Sequence, residues 1–131
     1  MKLKPEEIDE LVVEAERIIE SRRQHLKGGE TGRTQMSNAI DAAQQTRSFA
    51  MFLNWLRYQM ARKESQEFWG AKDSANRTLG EQVADYVKKR LQPEGELGME
   101  KLVLLLGFMR RALVALEYLD RIPPQTRQGG S

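Results

Sequence analysis

The 131-residue chain contains no cysteine and a single histidine, His25. Without thiols there is no disulfide framework, thiolate metal site or thiol nucleophile, and their absence fits a reducing cytoplasm. With one imidazole, a Ser-His-Asp set must run through His25. That residue sits among Arg22, Arg23 and Lys27, a poor setting for a metal ligand. Long apolar runs are also missing. The richest, Leu102 to Leu106, is far short of a membrane span, and Met1 to Glu7 lacks the apolar segment of a signal peptide. Gly28-Gly29-Glu30-Thr31-Gly32 lacks the Gly-Lys-Ser/Thr ending of a phosphate loop, and no strand precedes it. No carboxylate pair is set among apolar residues in a way that would separate two pKa values. The acids Glu6, Glu7, Asp9 and Glu10 are spread round a helix start, which suits a solvated, dipole-complementing face better than a calcium or magnesium loop. These absences predict a cytoplasmic, non-membrane, non-catalytic domain with no cofactor and no metal site.

What the sequence has in quantity is helical periodicity. Over Gly98–Asp120, residues Leu102, Leu105, Leu106, Phe108, Met109, Ala112, Leu113, Leu116 and Leu119 share one broad face, and Val103 and Leu104 widen it. Such a helix must be covered by others. The first helix is expected from Pro5, with Ile8, Leu11, Val12, Ala15, Ile18, Ile19 and Leu26 inward and Arg22, Arg23, His25 and Lys27 at its C-terminal end, where cations are favoured. The Gly28–Gly32 loop ends it. Thr34 is expected to cap a second helix over Gln35–Gln45, turning Met36, Ala39, Ile40 and Ala43 inward. The apolar phase then changes to Phe49, Phe52, Leu53, Leu56 and Met60, so either Ser48 caps a third helix or one helix kinks near Thr46-Arg47-Ser48. Trp69 to Arg77 reads as a loop, and Thr78-Leu79-Gly80-Glu81 as a capping box. It opens a helix with Leu79, Val83, Val87 and Leu91 inward and Lys88-Lys89-Arg90 in its last turn. Gln92–Gly98 is expected as a turn before the core helix. Pro123-Pro124 stops that helix, and residues 125–131 are expected to be disordered. The fold class is all-α, a single compact bundle of about five or six helices over residues 1–124.

Charge is unevenly placed. Residues 33–63 hold Arg33, Arg47, Arg57, Arg62 and Lys63 against the single acid Asp41, while the net charge of the whole chain is only +2. If the third helix runs through Arg47, then Asn54, Arg57, Tyr58 and Arg62 lie within about 80° of it on the helical wheel, opposite the apolar stripe. Arginine forks match phosphate oxygens, and an exposed tyrosine can stack on a base or sugar. The simpler alternative is a solvated basic face.

Leu56-Arg57-Tyr58-Gln59-Met60-Ala61-Arg62 and Ala112-Leu113-Val114-Ala115-Leu116, after the helix start Thr34-Gln35-Met36-Ser37-Asn38, resemble the small all-helical subunit of type III CRISPR–Cas effector complexes, especially type III-A. Tyr58, Ala61 and Arg62 match the family's Tyr-x-x-small-Arg pattern, and Ala112–Ala115 its Ala-aliphatic-Val-Ala run. At the start of the second helix Ser37 stands where the family has arginine. The likeness spans roughly residues 31–122. It implies a non-catalytic subunit that stacks head to tail along the centre of a ribonucleoprotein effector complex, beside other subunits, and touches the backbone of the guide RNA–target RNA duplex. Candidate RNA-binding residues are then Arg33, Arg47, Arg57, Tyr58, Arg62, Lys63, Arg110 and Arg111. A helical protein–protein adaptor or antitoxin-like module with no nucleic-acid role is the competing expectation.

Overall fold

The computed structural model describes residues 3–26 and 30–124, and within them the protein is all-α with no strand. Lys27, Gly28, Gly29 and the tail 125–131 lie outside the described residues. Helix α1 spans Pro5–Glu20, α2 Glu30–Thr46, α3 Phe49–Ala61, the single turn α4 Gln66–Trp69, α5 Leu79–Tyr86 and α6 Gly95–Val114.

Polar contacts fix the helix directions. Near the starts of α1 and α6, Glu7 pairs with Lys101 at 3.0 Å; beyond their ends, Arg23 pairs with Asp120 at 3.1 Å. These two helices therefore run parallel. Arg110 Nε donates to Ser37 Oγ at 2.9 Å, and Gly32 packs beside Leu113, so α2 runs antiparallel to α6. Phe49 borders Gly98 and Met60 borders Gly80, which sets the start of α3 beside α6 and its end against α5. Arg22 reaches Gln82 and Arg90 reaches Glu10 at 2.8 Å, so α5 is antiparallel to α1. The shared core contains Leu102, Leu105, Leu106 and Met109 of α6, closed by Leu11, Ile18, Met36, Phe52, Leu56, Leu79 and Val83. Phe108, Val103 and Leu104 are only half-buried.

Several boundaries differ from the sequence expectation. Helix α1 stops at Glu20, and Arg23–His25 form a separate 3-10 turn. Thr31, Gly32 and Thr34 lie inside α2 rather than in a loop and a cap. Between α2 and α3 the helix breaks completely. Arg47 has φ 48°, the left-handed residue that commonly ends a helix, and Ser48 Oγ then accepts from Met51 N at 3.2 Å to cap α3. The Thr78–Glu81 capping box forms as expected. Helix α5 continues as a π turn over Val87–Leu91 and a 3-10 turn over Gln92–Glu94, and α6 begins at Gly95, inside the expected turn. Gly98 explains how the two segments meet: a Cβ there would lie 1.8 Å from the Leu91 carbonyl oxygen. The core helix ends at Val114, and Leu116–Leu119 continue as a 3-10 turn.

Arg22 is not a surface cation at a helix end. It is 1% exposed, and its Nε donates to the Ala71 carbonyl at 2.8 Å. Its terminal nitrogens donate to the Ile18 and Arg77 carbonyls at 3.0 and 2.9 Å and to Gln82 Oε1. Asp73 stands 3.6 Å away. Burial pushes the Arg22 pKa down while Asp73 opposes the shift. Trp69, expected in a loop, is fully buried; its indole N–H donates to Gln35 Oε1 at 3.2 Å. Its ring meets Phe68 and Trp55 edge-on. That contact chain draws the middle of α3 and the end of α4 toward the first half of α2.

Candidate nucleic-acid interface

Carboxylates hold many of the surface cations, though among the described residues not Lys88, Arg110 or Arg111. On and beside α1, α5 and α6, carboxylates hold Arg17 (Glu14, 3.4 Å), Lys89 (Asp85, 3.1 Å) and Arg90 (Glu10, 2.8 Å). Lys101 lies between Glu94 at 2.7 Å and Glu7 at 3.0 Å. Burial opposes the Lys101 charge, yet the hydrogen bonds to the two carboxylates outweigh it and raise the pKa. Conversely, the hydrogen bond from the Lys4 backbone N–H and the one from Lys101 lower the Glu7 pKa. Among the described residues of the basic stretch over α2 and α3, Arg62 pairs with a carboxylate, Glu64. Among the described residues, Arg33, Arg47, Arg57 and Lys63 make no ion pair, and all four are exposed.

Helix α3 carries no acidic residue. Its outer strip, at three- and four-residue spacing, consists of Ala50, Met51, Asn54, Arg57, Tyr58 and Ala61, all exposed. Met51 is 58% and Tyr58 61% exposed. Of the residues expected on one helical face, Asn54, Arg57 and Tyr58 are together. Arg47 is not on that helix: its positive φ turns the chain just before the Ser48 cap. Arg62 is the C-cap of α3, with extended ψ 133°, and it bends to Glu64 at 3.2 Å. Lys63 follows it in the turn, exposed. The remaining candidates sit elsewhere. Arg33 and Arg110 share a shallow depression with Glu30, Thr34 and Ser37. Arg111 points outward on α6 with its guanidinium 5.9 Å from the Phe108 ring centre.

Comparison with models of protein families, with curated proteins and with solved structures gives no match. The assignment of a role therefore rests on the surface itself and on the motif likeness.

Chemically, the arrangement can bind anions without reading them. Exposed guanidinium groups with no internal partner can bind phosphate oxygens through charge-assisted hydrogen bonds. Tyr58 offers an aromatic plane between them. Sequence reasoning missed the hydroxyls of Thr34 and Ser37 beside the arginines. The spacing Arg33-x-x-x-Ser37 puts both residues on one side of a helix, but only the α2–α6 packing reveals that Arg110 joins them.

Proposed function

We propose that the protein is a non-catalytic small subunit of a type III CRISPR effector complex, a cytoplasmic ribonucleoprotein in which it contacts the backbone of the guide–target RNA duplex. Copies stack head to tail within the complex and touch its other subunits. The observation that carries this reading is the acid-free α3 strip, with exposed Arg57 and Tyr58 flanked by Arg47 and Lys63, none of these cations paired within the described residues. Arg17, Lys89 and Arg90, by contrast, are tied to carboxylates. Backbone contacts position a nucleic acid and carry no sequence information, which suits an assembly whose specificity comes from base pairing.

The test is binding of a labelled RNA duplex of ~40 base pairs across a salt series, with wild type and an Arg47→Ala/Arg57→Ala/Lys63→Ala variant. Expected is sequence-independent binding whose log–log salt slope flattens by about 2–3 in the variant, one phosphate per cation. Equal slopes would refute the assignment of these residues.

A second reading has its own support. Val114, Tyr118 and Ile122 are exposed large apolar side chains at and after the end of α6, which suits a protein partner. An adaptor of that kind has no RNA affinity to lose with salt.

A further inference from the structure

We infer that the depression between α2 and α6 is a seat for one phosphate group, and, on the RNA reading above, for a single phosphodiester of the bound strand. It lies apart from the α3 strip and is built from two helices. Arg33 and Ser37 are one turn apart on α2, so they face the same way. Arg110 enters from α6, and its Nε–H donates to Ser37 Oγ at 2.9 Å. That bond uses one of the five guanidinium donors and fixes the plane of the group, leaving four N–H groups for a ligand. Among the described residues, neither Arg33 nor Arg110 meets a carboxylate. The Thr34 and Ser37 hydroxyls line the same hollow, and a hydroxyl can donate to an anion.

Two guanidinium forks beside hydroxyls suit a tetrahedral oxyanion with several acceptor oxygens. The hollow is open, so it suits a phosphate on a strand running past rather than an enclosed small molecule. Glu30 also lines it. Its carboxylate repels the ligand and sets the seat to be weak on its own. Because both arginines serve one phosphate, their contributions are coupled. The cations of the α3 strip, each expected to meet its own phosphate, act independently.

The experiment measures RNA duplex affinity and salt slope for the full chain and for the Arg33→Ala, Arg110→Lys, double and Glu30→Gln variants. Arg110→Lys keeps the charge and loses the fork, and thermal unfolding checks that each variant folds. Expected is a loss of roughly tenfold for either single variant. The double variant should lose little more than that, with a slope smaller by about one. Glu30→Gln should bind more tightly. An unchanged affinity in the single variants, or a double variant showing the full product of the two losses, overturns the shared seat while leaving the α3 reading intact. If the wild type binds no RNA, the function reading fails, and inorganic phosphate decides the seat. A shift of the Arg110 side-chain N–H resonance in NMR, abolished by Arg33→Ala, supports it; no shift overturns it.

Discussion

Replacing Arg22 by methionine tests the polar core directly. The methionine stem keeps most of the packing volume but removes the guanidinium that joins the end of α1 to the 70–78 loop and to α5. The side-chain oxygen of Gln82 loses its donor, the carbonyls of Ala71 and Arg77 keep only the Leu79 and Asp73 backbone N–H groups, and Asp73 loses a cation 3.6 Å away. The Gln82 oxygen left unpaired costs about 1–3 kcal/mol, and each carbonyl that loses one of its two donors costs less. Relief from burying a charge offsets part of that sum, and breaking such a buried arrangement from one side typically costs about 3–5 kcal/mol. For a chain of this size that is a fall of roughly 10–15 °C in Tm and a large part of the ~5–15 kcal/mol that holds a domain together. Urea unfolding gives the free energy, and hydrogen exchange of the amides of residues 71–78 gives its location. Expected are a lower midpoint and selective loss of protection in that loop. A destabilisation under about 1 kcal/mol with loop protection intact would refute the reasoning, because it would mean these acceptors find water as easily as they find Arg22.

Two glycines of α6 should respond with opposite sign. Gly98→Ala drives a methyl group into the Leu91 carbonyl and should lower stability by more than ~1 kcal/mol, whereas Gly107→Ala, with nothing within 4 Å, should raise it by about 0.5–1 kcal/mol, the ordinary helix-propensity gain. Denaturant midpoints of the two variants check this. Arg47 sits in the left-handed region at φ 48°, so Arg47→Gly should stabilise the fold by up to about 1 kcal/mol while weakening RNA binding. A variant that loses both would contradict the helix-break geometry. Asp73 accepts from the Arg77 and Ala75 backbone N–H groups at 2.9 and 3.0 Å. The Arg77 hydrogen bond foremost, with help from the Arg22 charge, holds its pKa below the ordinary 3.8. The folded value is below the unfolded one, so the stabilisation is complete above pH 3.8 and is lost as pH falls through the lower folded value. Asp73→Asn should therefore flatten the acid limb of the stability–pH curve, and acid titration of the two proteins by circular dichroism checks it.

Much of this fold was legible because periodicity and caps are local. The α6 stripe and the Thr78–Glu81 box each follow from residues within a few positions of one another, whereas the sequence left Ser48 open between a cap and a kink in one helix. What was missed depends on partners far along the chain. Arg22 lies three and four residues after Ile19 and Ile18 and four before Leu26, so the apolar stripe ran straight through it. The signal was present, but a charge at a helix end has a simpler explanation in the dipole. Lys101 sits four residues before Leu105 in the same way, and only the position of Glu7 and Glu94 makes its burial intelligible. Trp69 needed Gln35 for its indole N–H. At the candidate interface the sequence grouped Asn54, Arg57 and Tyr58 correctly. It extended that face to Arg47 and Arg62 by assuming an unbroken helix, and nothing in an arginine codon position signals a positive φ. Gly98 was read as the end of a turn, since its need to be small arises from Leu91 passing across it.

The parallel course of α1 and α6 has a practical consequence. Pro5 opens the bundle at one pole, and Leu119 closes it at the other, separated by the rise of a sixteen-residue helix, about 24 Å. Anything grafted ahead of α1 and anything grafted behind residue 124 therefore departs in opposite directions. The bundle becomes a rigid spacer between two cargoes, and a circular permutant needs a linker long enough to travel the whole length of the molecule.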